Sequence, residues 1–195
     1  TIKDNVTKLP VTNALIRLSK APTYSETKYT GRGSINQTDW STHDSYTADD
    51  GNIDVSSTPG DIKLLKVFGN YVPSGWLESS TIDTGFESNF YNLKRSPDDQ
   101  PVPSGPGSVK LQFATNATTT PTTTWVYKGP DGSTDSYYTT SNSVISPTHN
   151  GDRYARYKVF LSSQSTSTTP NVSDISFAVS TSCTPPGQIV FSGLS

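Results

Sequence analysis

Methionine is absent from this chain, cysteine occurs once and histidine only twice. With Cys183 alone, no disulfide can close within the chain. No run of about 18 apolar residues is present, so no segment reads as a membrane-spanning helix. Neither sign of charge dominates: 15 basic and 17 acidic residues leave a net charge of −2, with no basic stripe of the kind nucleic acid requires. Apolar residues are scarce as well, at 31% against about 45–50% on a similar count for ordinary domains. Scarcity on that scale means disorder when aromatics are also few and net charge is high. Here 10 Tyr, 7 Phe and 3 Trp are present, and each such ring buries roughly 150–250 Å². The composition therefore predicts a folded chain with a thin, aromatic core and long polar loops.

What is abundant is hydroxyl: 29 Ser and 28 Thr in 195 residues. That bias points to a β-rich, outward-facing protein used for scaffolding or contact, not to an enzyme. Thr1 stands where Met would open a nascent chain, which points to a removed leader or an excised piece. Four Asn-x-Ser/Thr sequons mark Asn5, Asn36, Asn116 and Asn171 as glycosylation candidates.

No stretch sustains a helical period, whereas two-residue alternation recurs. It predicts strands over 14–18, 62–68, 109–113, 125–127, 154–161, 175–179 and 188–191. In the 154–161 strand, Ala155, Tyr157, Val159 and Leu161 share one face, and Tyr154, Arg156, Lys158 and Phe160 the other. In the 109–113 strand, Val109, Leu111 and Phe113 point inward. Gly129-Pro130-Asp131-Gly132 has the chemistry of a tight turn with Pro at its first central position. Residues 24–59 are polar and read as a long excursion containing one or two short strands. Strands at this spacing predict an antiparallel β-sandwich, jelly-roll or immunoglobulin-like.

Chemistry-bearing groups are few. Serine is everywhere, so its presence beside two histidines does not signal a nucleophilic triad, and no Gly-x-Ser-x-Gly elbow occurs. Glu78 and Glu87 are the pair considered for glycoside hydrolysis. Asp50, Asn52 and Asp54 alternate around Gly51 as oxygen ligands for calcium would, but the Glu that completes an EF-hand is missing; a solvated acidic turn is the simpler reading. Trp40, Trp76, Tyr137, Tyr138 and Tyr154 are candidates for stacking on sugars, against the alternative of core packing. In an extended segment the neighbours Tyr137 and Tyr138 must project to opposite sides.

The blocks Gly75-Trp76-Leu77-Glu78-Ser79-Ser80-Thr81-Ile82-Asp83-Thr84-Gly85 and Gly151-Asp152-Arg153-Tyr154-Ala155-Arg156-Tyr157-Lys158-Val159, with 109–116 and 129–132 between them, resemble a sandwich module of surface and pilin-like proteins in small-genome bacteria. The resemblance covers residues 70–182. The flanks, 9–18 and 186–194, are similar to strands of carboxypeptidase regulatory-like (Cna-B-like) modules. The resemblance implies two units: a partial Cna-B-like module from 1–69 and 183–195, and a sandwich inserted at 70–182. It also implies an extracellular or cell-surface stalk. The lysine–asparagine crosslink of some Cna-B modules has no Asn in the closing strand here. The chain stops at Ser195, before the strand that follows in such modules; the expectation is strand addition from another chain, against the alternative that the strand was cut away with the rest of a longer protein.

The expectation is a non-enzymatic, extracellular structural subunit of a pilus-like or adhesive fibre, associating with itself or with neighbouring surface domains. The alternative is a carbohydrate-binding module that uses exposed aromatics, with calcium as an optional helper. Neither reading involves a nucleic-acid partner or a membrane span.

Overall fold

The computed structural model describes residues 33–119 and 124–181. The expected strands at 14–18 and 188–191, the Cna-B-like flanks, Asn5 and Cys183 lie outside the described residues. Within them there is no α-helix, only two short 3₁₀ turns at Val102–Ser104 and Pro147–His149.

Fourteen strands follow in chain order among the described residues. They are β1 (Gly33–Gln37), β2 (Tyr46–Asp49), β3 (Ile53–Asp54), β4 (Ile62–Leu64), β5 (Lys66–Val67), β6 (Asn70–Tyr71) and β7 (Ser74–Ser79). After these come β8 (Ile82–Asp83), β9 (Ser88–Ser96), β10 (Val109–Asn116), β11 (Ser143–Val144), β12 (Tyr154–Ser162), β13 (Asn171–Val172) and β14 (Asp174–Thr181). All pairings are antiparallel. One sheet runs β1-β14-β9-β11; the other runs β10-β12-β7-β2, with β8 against β12. A small sheet, β13-β4-β3, and the hairpin β5-β6 complete the set. The fold is an all-β antiparallel sandwich, as composition and alternation predict. Among the described residues of the 24–59 excursion there are three strands where one or two are expected, and β1 and β2 pair with β14 and β7 as members of the main sheets.

Alternation decides what is buried. Along β12, Ala155, Tyr157, Val159 and Leu161 are buried and the intervening residues are half-buried. Val109, Leu111 and Phe113 of β10 and Ile175, Phe177 and Val179 of β14 are buried too. Three rings clasp the sheets together: Phe113 of β10 meets Phe177 of β14 edge-on at 5.1 Å and Phe90 of β9 at 5.4 Å. Strand β9 breaks the alternation. Tyr91 and Asn92 together oppose the single residue Ala178, so both Phe90 and Leu93 face inward. The predicted strand at 125–127 is instead an extended strap, tied to β10 by one backbone bridge between Lys128 and Phe113. The 62–68 strand is divided into β4 and β5.

Buried polar groups hold the core in register. Trp40 Nε1 donates to Tyr157 Oη at 2.7 Å, and that hydroxyl donates onward to Gln37 Oε1. Ser146 N donates to Tyr138 Oη at 3.1 Å. His149 is buried beside Phe113, with Nδ1 at 3.2 Å from Thr115 Oγ1. Burial, assisted by the Lys128 charge, lowers its pKa to about 4.

Two outcomes test this core. Phe113→Ala lowers the unfolding free energy by about 3–5 kcal/mol, while Phe68→Ala at a fully exposed ring changes it by less than about 0.5 kcal/mol; urea denaturation of both variants checks the contrast. The folded-state pKa of His149 lies below its unfolded value of 6.5. Its contribution is therefore fully present above about pH 6.5 and is lost as pH falls toward 4, a span worth roughly 3 kcal/mol. His149→Gln flattens the stability profile across that window in pH-dependent urea melts.

Candidate functional site: an aromatic row on the outer sheet face

The period of two that buries one face of β12 must present Arg156, Lys158 and Phe160 on the other. Register then assembles rows across strands. Lys110 of β10 pairs with Phe160 of β12, which pairs with Trp76 of β7. Asp50, just past β2, donates its backbone N–H to the Trp76 carbonyl at 3.3 Å. One line therefore reads Lys110, Phe160, Trp76, Asp50: an ammonium, two aromatic rings and a carboxylate. The next row is Gln112, Lys158, Glu78.

Tyr137 joins the first row from a loop. Gly132 N–H closes the expected tight turn on Gly129 O at 3.0 Å. Gly129 is required by close approach: a Cβ there would lie 2.3 Å from the Ser136 backbone carbon. Gln112 Nε2 donates to the carbonyls of Thr134 and Ser136, and Tyr138 exchanges backbone hydrogen bonds with Leu111. Tyr138 is thereby drawn into the core and Tyr137 is turned outward. Its ring stands edge-on to Phe160 at 5.3 Å and 89°.

Phe160, Trp76 and Tyr137 line an open, shallow cleft of about 270 Å³ with Asp50 and Lys110 among its other lining residues. Ser74 and Ser162 also line it, whereas Lys158 does not. Lys158 Nζ lies 3.6 Å from the Trp76 ring centroid, a cation–π contact that steadies the indole. On the rest of this face, Arg156 pairs with Glu78 at 2.8 Å and stacks on Trp125 at 4.6 Å. Tyr127 belongs to the 125–127 strap, and burial, reinforced by Glu78, raises its pKa.

The five stacking candidates divide. Trp76 and Tyr137 meet in the cleft. Trp40 and Tyr138 are core residues with 0% and 1% exposure, which corrects their reading as stacking platforms: each is held inside by its own polar atom, as described above. Tyr154 shares the outer face but sits six residues from Phe160 along β12, about 20 Å away, with the Arg153 guanidinium over its ring. Phe160, Lys110 and the role of Asp50 beside Trp76 escape sequence reading, because they follow from strand register.

The calcium candidates are engaged in local turns, Asp50 with Asn52 and Asp54 with Ser56 and Ser57. Asp50 accepts from Asn52 N–H and Nδ2, while Asp54 accepts from Ser56 N–H, Ser56 Oγ and Ser57 N–H. Burial works to raise Asp54, yet the Ser57 and Ser56 hydrogen bonds outweigh it and hold its carboxyl at about 2. These are side-chain-capped turns. Among the described residues no three His, Cys, Asp or Glu side chains group as a metal site. Of the sequons, Asn36 is exposed on β1, Asn116 donates its amide to Thr124 O, and the Asn171 side-chain oxygen is buried.

Catalytic arrangements fare no better. Thr115 Oγ1 lies between Asp152 Oδ2 at 2.7 Å and His149 Nδ1 at 3.2 Å. A nucleophile would need the histidine in the middle and access to substrate, and His149 is buried. Glu78 is committed to Arg156. No helix among the described residues is long and apolar enough to cross a membrane.

Glu78→Gln leaves a half-buried guanidinium without its carboxylate, and the expected cost is about 1–2 kcal/mol in thermal or urea unfolding; an unchanged midpoint would show that Trp125 stacking alone holds Arg156. Comparison with known protein families finds no match, and comparison with curated proteins finds none either.

Proposed function

We propose that this protein is a non-catalytic carbohydrate-binding module acting outside the cell or at its surface. The observation that carries the reading is the row Lys110, Phe160, Trp76, Asp50, with Tyr137 standing over it. Flat apolar rings match the C–H faces of a pyranose. A carboxylate and an ammonium at the two ends supply acceptor and donor for its hydroxyls. A mostly apolar cleft with a few placed polar groups is the usual form of a small-ligand site. The extracellular setting is supported by the Ser- and Thr-rich composition and by the resemblance to surface modules.

A fibre subunit assembling by strand pairing is the second reading. What supports it is the position of β1 as the outer strand of its sheet among the described residues, since an outer strand can accept another chain. The two roles are compatible in one surface protein. Light scattering and electron microscopy at high protein concentration test the second; a persistent monomer sinks it.

The first is tested on a glycan array followed by calorimetry. At least one saccharide class binds, and Trp76→Ala weakens it by about thirtyfold or more, as expected for an aromatic anchor, with the far-UV spectrum unchanged. Failure of every saccharide to bind overturns the reading.

A further inference from the structure

A second cleft, of about 360 Å³, lies along the 97–109 loop, with Asp98, Asp99, Gln100, Gly105, Gly107 and Thr139 among its lining residues. Arg95 closes its inner side. The guanidinium is buried, donating from Nη1 to the carbonyls of Pro97 and Asp98 and from Nη2 to that of Thr139. Burial lowers its pKa, and Asp98 and Asp99 oppose that shift. Its donors are largely spent on backbone oxygens, so Arg95 shapes the wall of the cleft. Exposed there are the carboxylates of Asp98 and Asp99, which are hydrogen-bond acceptors; Asp98 Oδ1 also accepts from Ser141 N–H at 3.3 Å and lies 4.0 Å from Arg95 Nη2, which leaves its Oδ2 and the whole of Asp99 toward the cleft.

The two clefts abut. Ser108 lines the second and Ser162 lines the aromatic one, and Ser162 N–H donates to Ser108 O at 2.9 Å. Gly107 lines the second cleft, Lys110 lines the aromatic one, and a Cβ on Gly107 would lie 3.7 Å from Lys110 Cε. The Lys110 stem is thus the shared boundary. The aromatic cleft, at about 270 Å³, falls just short of the roughly 300–1,000 Å³ of ordinary ligand sites, and joined to its neighbour of about 360 Å³ it lies well within that range.

We propose that the two clefts are consecutive subsites for one linear oligosaccharide. It stacks one ring between Trp76 and Tyr137, crosses Lys110, and hydrogen-bonds a following ring to Asp98 and Asp99. This rests on the carbohydrate reading and adds to it a chain ligand, a direction across the sheet edge and a second set of binding residues. Charge makes the two subsites unlike. Lys110 at the crossing has no ion pair within 4 Å among the described residues. The second subsite carries two carboxylates against one guanidinium, so it favours rings rich in hydroxyl or amide donors over rings bearing an acid.

The test is titration of the intact protein with fragments of cellulose, chitin and polygalacturonate, from one sugar unit to four. For the class that binds, affinity rises about tenfold or more on going from one unit to three. Asp99→Ala removes most of that gain while leaving the single-unit affinity unchanged; among the described residues Asp99 acts on Arg95 through its charge at a distance, so its loss spares the fold. Backbone amide signals of Gly105 and Gly107 move with the three-unit ligand and stay still with one unit. Affinity independent of length, with Gly105 and Gly107 unmoved while Trp76-dependent binding persists, overturns the second subsite and leaves the carbohydrate reading standing. Absence of Trp76-dependent binding by any fragment overturns both.

Discussion

The register of β12 is the constraint on which both faces of the protein depend. A strand side chain points in or out by parity alone, so a slip of one residue exchanges the whole inner set for the outer one. The correct parity buries Ala155, Tyr157, Val159 and Leu161 and sets Phe160 between Lys110 and Trp76. Parity is enforced from inside. Tyr157 fills the core only because its hydroxyl finds Trp40 and Gln37, and its backbone N–H finds Ser79 Oγ at 2.9 Å. A shifted strand would strand those polar atoms in the apolar interior, at a cost of roughly 1–3 kcal/mol each. The candidate binding row is thus a by-product of core satisfaction.

The thin apolar content is compatible with this because much of the core is aromatic and hydroxylated. Tyr138, Tyr157 and Trp40 bury large areas and each has its polar atom matched nearby. Ser79 and Ser88 are buried as well, and their hydroxyls serve backbone and side-chain partners. Many of the Ser and Thr residues that first suggest a mere polar surface act instead as short hydrogen-bonding links within and between loops. Ser163 Oγ reaching Ser165 O and Thr168 O is one example.

Legibility from sequence followed this division. The strands β10, β12 and β14 were readable because their alternation is uninterrupted. Strand β7 was not, since its inward residues are Gly75, Leu77 and Ser79, of which only Leu77 is a large apolar side chain. Strand β9 was hidden by its bulge, which places Phe90 and Leu93 three apart on the same face. Trp76 and Tyr137 could be nominated by type, and the opposite fates of Tyr137 and Tyr138 by geometry. Trp40 could not be assigned, because its burial is decided by a partner 117 residues away. Lys110 and Phe160 became site residues only through pairing between strands distant in sequence.

The bulge in β9 also bears on how this chain can vary in length. Within a regular ladder such as β10–β12, losing one residue from a strand reverses the facing of everything beyond it. Between Phe90 and Leu93 the loss would do the opposite: it would leave one residue opposite Ala178, restore a regular ladder and keep both Phe90 and Leu93 turned inward. The disturbance would fall mainly on the short outer strand β11, which pairs with Asn92 and Leu93. The sheet opposite the cleft therefore contains a point where related sequences can lose a residue without reorganising the interior.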